Sequence, residues 1–241
     1  MKTLVSLLAL AAAIPAFADE PAPAADPLSF NVGVVSEYRY RGISQSRLRP
    51  ALQGGIDYAG ANGFYVGTWA STIKWVKDAG GDGDVEVDLY GGYRTEVAKG
   101  LTLDVGVLQY VYPSNKLNPS ANTFEFYGAV SFGPVTAKYS HSTTNLFGYA
   151  DSRNSGYLDV TANFDIGDGF SLAPHVGHQT VRHLAAASYT DYSLTLAKDF
   201  SGLVLSGSLV GTDADKTTYA SPVNGKFMGK TALVVGLKKT F

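Results

Sequence analysis

Thr231-Ala-Leu-Val-Val-Gly-Leu-Lys-Lys-Thr-Phe241 closes the chain, and its apolar residues recur at every second position. Leu233, Val235 and Leu237 share one face of an extended segment, while smaller or polar residues such as Lys238 occupy the other. This period of two is that of a β-strand, not of an α-helix. An apolar face opposite a more polar one predicts a strand with lipid on one side and water on the other.

Phe241 gives the chain an aromatic end directly after this strand. In this respect the segment resembles the C-terminal signal of bacterial outer-membrane proteins, which implies the barrel-assembly machinery as a partner. Lys239 departs from that pattern, which usually has an apolar or aromatic residue at this place. We expect Lys239 at the membrane edge, where its side chain reaches water at small cost.

Eleven further segments repeat the alternation. Together they predict an all-β, 12-stranded antiparallel up-and-down transmembrane β-barrel, because an even strand number returns both chain ends to one side of the membrane. The face assignment of the third segment stays open, since Tyr65 and Trp69 compete with Phe64 and Val66 for the lipid side. The predicted strands are residues 29–41, 50–58, 64–71, 85–94, 101–112, 123–132, 135–142, 157–164, 170–179, 191–200, 203–212 and 230–241.

The connections between these strands alternate strictly in length. Long connections are typical of extracellular loops and short ones of periplasmic turns, and a soluble sandwich has no reason to keep this alternation. The long connections are residues 42–49, 72–84, 113–122, 143–156, 180–190 and 213–229. The short connections are residues 59–63, 95–100, 133–134, 165–169 and 201–202.

A leader precedes the barrel. Lys2 is followed by an apolar run and by Ala16-Phe17-Ala18, an A-x-A cleavage site. These features predict a cleaved signal peptide at residues 1–18, a periplasmic N-terminal tail at residues 19–28 and an outer-membrane β-barrel at residues 29–241. The predicted location is therefore the outer membrane of a Gram-negative bacterium, with outer-membrane lipid as a partner.

Composition excludes several classes of protein. The chain has 19 basic and 21 acidic side chains and a net charge of −2, so a basic nucleic-acid-binding protein is not indicated. It has no cysteine, which excludes disulfides and metal sites built on thiolates. The sequence predicts no cofactor and no nucleic-acid partner.

The charges within the predicted strands fall mostly on one face. A basic residue that faces lipid at mid-membrane costs roughly 2 to 4 kcal/mol, so we expect this face to line a polar, partly wet lumen. The inward acids are Glu37, Asp57, Glu86, Asp88, Asp104, Glu125, Asp159, Asp191 and Asp199, and the inward bases are Arg39, Arg41, Arg94, Lys138 and Lys238. The excess of acids predicts a slight preference for cations.

Several of these charges lie near the predicted outer ends of their strands. Two arginines on one wall would face acids across the mouth, and the resulting field would favour hydrated polar solutes. The alternative is that these groups pair with one another and fill the interior. The predicted pore-lining residues are Glu37, Arg39, Arg41, Glu86, Asp88, Glu125, Asp159 and Asp191.

Aromatic residues also cluster at the outer ends of the strands. Outward aromatics are expected to form an interface girdle. The expected girdle residues are Tyr38, Tyr40, Phe124, Phe126 and Tyr139. Tyr110 and Tyr112 fall on the inward face, where they would narrow the lumen or bind sugar rings.

The segments Glu37-Tyr-Arg-Tyr-Arg-Gly-Ile-Ser-Gln45, Pro50-Ala-Leu-Gln-Gly-Gly-Ile-Asp-Tyr58 and Gly63-Phe-Tyr-Val-Gly-Thr-Trp-Ala-Ser71 carry a family resemblance. In these segments the chain resembles the TorF-type porin family of Gram-negative bacteria, and the likeness extends over the mature chain. The resemblance implies an outer-membrane location but no particular substrate. Arg41, Gly42 and Ser44 match the most characteristic positions.

Two features suggest other chemistry. Asp82, Asp84 and Glu86 have a spacing that suggests a calcium loop, but Val87 and Tyr93 replace the glycine and glutamate that such a loop requires. A flexible outer loop is the simpler interpretation.

The second feature is the set of four histidines, which suggests a lipid hydrolase because outer-membrane phospholipase is also a twelve-stranded barrel. Such an enzyme needs a hydroxyl nucleophile beside a histidine on the lipid-facing surface. None is expected beside His141 or His178, so we interpret the histidines as interface or loop residues and expect no enzyme. The four are His141, His175, His178 and His183.

The leading hypothesis is a passive outer-membrane channel for small hydrophilic solutes. Twelve strands lie between the filled eight-stranded barrels and the open sixteen-stranded ones, which predicts a narrow pore. The second hypothesis is a plugged barrel with a surface-binding or envelope-structural role. Loops 143–156 and 213–229 are long enough to fold inward and occlude the lumen.

Overall fold

The computed structural model describes residues 27–241, so the predicted signal peptide and residues 19–26 of the predicted tail lie outside the described residues. The strands are β1 (Leu28–Val35), β2 (Arg39–Tyr40), β3 (Ile43–Ser44), β4 (Ala51–Ala59), β5 (Phe64–Thr72), β6 (Val85–Ala98), β7 (Leu101–Val111), β8 (Thr123–Phe132), β9 (Val135–Ser142), β10 (Gly156–Ala162), β11 (Phe164–Gly167), β12 (Phe170–Thr180), β13 (Tyr189–Asp199), β14 (Leu203–Thr212) and β15 (Ala232–Thr240). Two short helices, α1 (Trp75–Asp78) and a 3₁₀ turn (Ala185–Ala187), lie in the long connections. Of the helices formed by these residues, none has the length and apolar character that a membrane crossing requires.

The main sheet closes on itself. Each strand pairs antiparallel with its neighbour along the chain, β1 pairs with β15, and β10 and β11 both pair with β12. β10 and β11 are therefore two halves of one interrupted wall strand. Within residues 27–241 the wall has twelve strand positions, which confirms the predicted 12-stranded antiparallel barrel.

Alternation separates the two faces of the wall. Leu52, Phe126 and Leu233 point outward and are 60%, 53% and 67% exposed, whereas Glu86 and Glu125 point inward and are 1% exposed. An apolar outer surface around a polar interior is the arrangement that a lipid bilayer demands.

The structure settles the open face of β5. Phe64 and Val66 face outward, and Tyr65 faces the lumen, where its hydroxyl donates to Asp104 Oδ1 at 2.6 Å. A hydroxyl with a carboxylate partner inside is more stable there than in lipid, where no acceptor would be available.

Short turns and long connections lie at opposite ends of the barrel. The turns are residues 60–63, 99–100, 133–134, 168–169 and 200–202. Gly63 shows why one of them needs glycine: its φ is +89°, and an added Cβ would lie 2.4 Å from the Arg94 carbonyl oxygen.

The first wall strand is shorter than predicted. β1 ends at Val35, and residues 37–48, here called the inward segment, bend into the lumen and carry the short hairpin β2–β3. The expectation that Tyr38 and Tyr40 join an outward girdle is wrong, because both are buried inside, at 2% and 8% exposure. The reason is that their hydroxyls have partners across the lumen, Glu86 and Tyr110.

The other residues expected in the girdle lie on the outer surface of the barrel. Phe126 and Tyr139 are exposed on the outer surface, and Phe124 packs edge-on against Phe126 with ring centroids 5.3 Å apart. Tyr110 is buried inside the barrel, as expected. The outward aromatics at the short-turn end of the barrel form a second group, which includes Tyr58, Phe64, Tyr93, Phe132, Phe164, Phe170, Phe200 and Phe241.

Candidate functional site in the barrel lumen

The inward segment owes its shape to a tight hairpin. Arg41 and Gly42 join β2 to β3 with φ angles of +45° and +77°, the left-handed pair that a two-residue hairpin turn requires. An added Cβ at Gly42 would lie 2.7 Å from Cβ of Asp191, a residue of β13. The tip of the hairpin therefore lies close against another part of the wall.

Arg39 fixes the base of the hairpin. Its Nη1 donates to the carbonyls of Gly42 and Met228, both at 2.8 Å, and its Nη2 donates to the Lys230 carbonyl at 3.0 Å. It also pairs with Glu37, and its side chain is almost fully buried. The guanidinium thus attaches the inward segment to the last long connection, and its charge is neutralised locally.

Arg41 reaches the far wall. Its Nη2 lies 3.0 and 2.8 Å from the two carboxylate oxygens of Glu125, and its Nη1 donates to Gln179 Oε1 at 2.6 Å. The guanidinium also stacks over the rings of Tyr40 and Tyr157, 4.8 and 4.3 Å from their centroids. Glu125 is on β8, five wall positions from β1 in a ring of twelve, so this ion pair crosses the lumen.

The acids of β6 meet the tyrosines of the inward segment. Tyr38 donates to Glu86, and the hydroxyls of Tyr40 and Tyr110 lie 2.5 Å apart. Asp88 is buried in the same region, and its Oδ1 has no hydrogen-bond partner among the described residues. This side of the outer lumen is filled by aromatic rings and two buried carboxyl groups, those of Glu86 and Asp88.

A second polar cluster surrounds Asp191. The Tyr157 hydroxyl donates to Asp191 Oδ2 at 2.9 Å, and His175 Nε2 lies 3.1 Å from Asp191 Oδ1. The other ring nitrogen of His175 lies 3.0 Å from the Thr161 hydroxyl. The Tyr157 hydroxyl can take this position only because residue 177 is glycine: an added Cβ at Gly177 would lie 1.9 Å from that hydroxyl.

The half of the lumen nearest the short turns has two unlike walls. On one wall Arg94 pairs with Asp104 at 2.7 Å, and Tyr90 donates to Asp57. The opposite wall carries small side chains, which are also buried. These are Ala173, Thr195, Ala197, Ser206, Ser208 and Gly236.

All eight predicted pore-lining residues lie inside the barrel and are largely buried: Glu37, Arg39, Arg41, Glu86, Asp88, Glu125, Asp159 and Asp191. The structure brings Arg41 to Glu125, whereas Arg39 pairs with its sequence neighbour Glu37 and not with the far wall. Sequence reasoning missed Tyr157, His175 and Gln179. Their inward alternation was a usable signal for all three.

The loop that suggested calcium has other partners. Asp82 pairs with Lys116 at 2.9 Å and Asp84 with Lys77 at 2.8 Å, while Glu86 turns into the lumen. The lysine beside each aspartate lowers the pKa of its carboxyl group, chiefly through the hydrogen bond. Within residues 27–241 no group of three potential metal ligands comes together.

The outer histidines show one unexpected contact. His178 Nδ1 lies 3.0 Å from the Thr190 hydroxyl on the exposed surface, a neighbour that the sequence reading did not foresee. His141 Nε2 lies 3.3 Å from Asn154 Oδ1. Among the described residues no acidic or amide side chain hydrogen-bonds the second ring nitrogen of His178, so the triad geometry of a hydrolase is incomplete.

Fold and lumen together define a closed barrel of the kind that outer-membrane porins adopt, with charged side chains inside and apolar ones outside. A family model matches residues 19–241, and the chain belongs to that family, Gcw_chp, a bacterial family of unknown function. A search of curated protein sequences gave no match.

Solved structures give the same fold. The KdgM porin superposes with a TM-score of 0.59 at 8% identity, covering 88% of this chain and 99% of that one. The NanC porin has a TM-score of 0.54 at 13% identity, with 89% and 98% covered. An outer-membrane channel from Pseudomonas putida F1 has a TM-score of 0.53 at 14% identity, with 90% and 96% covered. At these identities the likeness establishes the barrel architecture.

Proposed function

We propose that this protein is a narrow, porin-like outer-membrane channel for small hydrophilic solutes. The observation that carries the proposal is the sidedness of the barrel: ionised side chains such as Glu125 and Asp191 are inside, and an apolar surface surrounds them. A polar lumen inside an apolar barrel lets hydrated molecules cross a membrane without contact with lipid. The similarity to porin structures supports the same function.

The inward segment sets the width of the proposed path. Residues 37–48 extend across the outer lumen, from the contacts of Tyr38 and Tyr40 near β6 and β7 to the contact of Arg41 with Glu125 on β8. The small side chains of β12 to β15 face the lumen on the other side. The path we propose therefore runs through the polar lumen beside the inward segment.

Charge determines the proposed selectivity. Glu37, Asp104 and Glu125 are each paired with an arginine. The nine inward acids outnumber the five inward bases, so we infer an excess of negative charge in the lumen. We propose a preference for cations over anions. The KdgM porin has been solved in complex with oligogalacturonate, an acidic sugar polymer; for this chain we propose neutral or cationic solutes instead.

The remaining assignments accompany this proposal. We propose that residues 1–18 are a cleaved signal peptide and residues 19–28 a periplasmic tail. The barrel-assembly machinery would recognise the last strand with Phe241, and outer-membrane lipid would surround the barrel. The resemblance of residues 37–71 to TorF-type porins supports membership of that group.

Conductance in planar bilayers tests the channel directly. Purified, refolded protein is expected to give small steps, and a KCl gradient is expected to give a reversal potential of the sign for cation selectivity. Folding of the preparation is checked by electrophoresis, because a folded barrel changes its mobility on heating. Folded protein that gives no conductance steps would contradict the proposal.

One observation favours the second candidate, a plugged barrel. Arg39 and Arg41 are only 3% and 8% exposed, and most of their nitrogen donors are engaged by the protein. Swelling of liposomes in sugars of increasing size separates the two functions. A channel admits the smallest sugars and excludes larger ones, whereas a plugged barrel admits none.

A further inference from the structure

The outer end of the barrel holds a cavity of about 420 Å³. Its lining comes from the inward segment, from the long connections and from the outer strand ends at Gln179 and Tyr189. Arg41 and Tyr40 contribute from the lumen side. The cavity is thus closed toward the lumen mainly by the hairpin, and its size falls within the range of small-molecule sites.

Seven aromatic side chains contribute to the lining: Tyr40, Trp75, Tyr112, Phe147, Tyr149, Tyr189 and Tyr219. These rings support one another by edge contacts. Trp75 packs against Tyr112 at 5.0 Å between centroids, Tyr40 against Phe147 at 5.5 Å and Tyr189 against Tyr219 at 5.0 Å. The walls are therefore formed before any ligand binds, and a flat ring would find complementary faces.

Each charged side chain of the lining pairs with a side chain of opposite charge. Arg41 pairs with Glu125, and Arg47 donates from Nε to Asp78 Oδ2 at 2.6 Å. A charged ligand would lose its hydration here without gaining an unpaired counter-ion. The cavity therefore favours a neutral ligand.

The lining also carries polar side chains, but several of them already have partners within the protein. Gln179 Oε1 accepts from Arg41 and its Nε2 donates to the Gly156 carbonyl, and the Tyr219 hydroxyl donates to the Ala187 carbonyl. The carboxamides of Gln45, Asn118 and Gln179 lie among the rings. A sugar brings a hydroxyl at nearly every carbon, and each hydroxyl left without a partner costs affinity. A ring compound with one or two hydroxyl or carbonyl groups suits this lining better.

We propose that this cavity is a binding site for neutral aromatic compounds of one or two rings. The inference goes beyond the channel proposal, because it depends on the cavity lining and not on conduction. Binding at this end of the barrel would place the ligand against the hairpin tip, beside the Arg41 contact with Gln179.

Fluorescence tests the site because Trp75 lines the cavity and the chain has 2 tryptophans. A Trp69→Phe variant leaves Trp75 as the reporter. Benzyl alcohol is the neutral aromatic probe, benzoate its charged counterpart and methyl glucoside the neutral sugar. Saturation-transfer NMR on the unsubstituted protein in nanodiscs gives a second measurement, which does not depend on that variant.

Variants of one loop provide the controls. Thr218→Phe places a ring in the cavity, and the same change at the neighbouring exposed residue, Thr217→Phe, places it outside. Thr218→Val removes the hydroxyl without filling space. We expect benzyl alcohol to bind saturably and with at least tenfold higher affinity than benzoate or the glucoside. We expect Thr218→Phe to weaken the binding of benzyl alcohol tenfold or more. The Thr217→Phe and Thr218→Val variants are expected to bind benzyl alcohol with the affinity of the unsubstituted protein.

Three results would overturn the inference: no saturable binding of benzyl alcohol, equal binding of the charged or sugar probe, or equal binding to Thr218→Phe and Thr217→Phe. The last result would mean that the probe partitions into lipid or detergent. Bilayer conductance of the same preparations reports separately on the channel.

Discussion

Arg41 and Glu125 are joined across the lumen, with 2.8 Å between Nη2 and Oε2, although Glu125 lies five wall strands from the point where the inward segment begins. Both side chains of the pair are buried, so salt screens their attraction little. It holds the hairpin tip against the far wall and thereby divides the outer lumen.

Removal of one partner is expected to destabilise the barrel. Glu125→Gln leaves a buried guanidinium without its counter-ion, and breaking such a pair costs about 3 to 5 kcal/mol. The double variant Arg41→Met, Glu125→Leu removes both charges and is expected to regain most of that loss. Urea unfolding followed by tryptophan emission measures the free energy of unfolding. The exposed Lys77 and Asp84 pair provides the control, since Lys77→Gln is expected to cause no measurable change.

Gly177 is expected to be intolerant of a side chain. Its added Cβ would occupy the position of the Tyr157 hydroxyl and displace that group from Asp191, at a cost of about 1 to 3 kcal/mol. Gly207, where the nearest neighbour of an added Cβ is 3.9 Å away, is the matched control. Thermal unfolding that is equal for Gly177→Ala and Gly207→Ala would show that the Asp191 cluster is not packed as described.

The lipid-facing wall gives a third prediction. Leu194 is 48% exposed at the middle of β13, so Leu194→Arg places a charge at mid-membrane and is expected to cost roughly 2 to 4 kcal/mol. Phe132 lies at a turn end of β8, where Phe132→Arg is expected to cost about 0 to 1 kcal/mol. Equal losses in vesicle-embedded protein, measured by urea unfolding, would contradict the assigned membrane position.

Asp88 is expected to contribute to ion selectivity. It is buried in the lumen, and its Oδ1 has no hydrogen-bond partner among the described residues, whereas Glu125 pairs with Arg41. Asp88→Asn is expected to move the reversal potential in a KCl gradient toward the non-selective value. Asp82→Asn, in an exposed loop, is expected to leave it unchanged. A shift of the same size in both variants would assign selectivity to surface charge instead.

The barrel itself could be predicted from the sequence. Alternation such as that of Leu233 and Val235 gives the strand period and the lipid face, and the lengths of the connections give the direction of each strand. These are local properties, so a single sequence contains them.

The inward segment could not be predicted in the same way. Tyr38 and Tyr40 alternate with Arg39 and Arg41 in the same way whether the strand continues in the wall or bends into the lumen. The difference depends on remote partners, such as Glu86 for Tyr38 and Tyr110 for Tyr40. The Arg41-Gly42 turn was the one local signal, because glycine there permits the left-handed backbone of a hairpin.

Charge complementarity was only partly informative. Opposite charges on facing walls indicated that some pairing would occur. The choice of Glu125 by Arg41 depends on where the hairpin tip lies, and Arg39 has a nearer partner in Glu37.

Single-channel conductance of the wild type and of the Arg41→Ala, Glu125→Ala double variant tests the central claim most directly. The claim is that a polar lumen conducts and that the inward segment, attached across it by this ion pair, narrows it. Small cation-selective steps for the wild type and larger steps for the variant are predicted. Conductance that is absent from both, or identical in both, would contradict it.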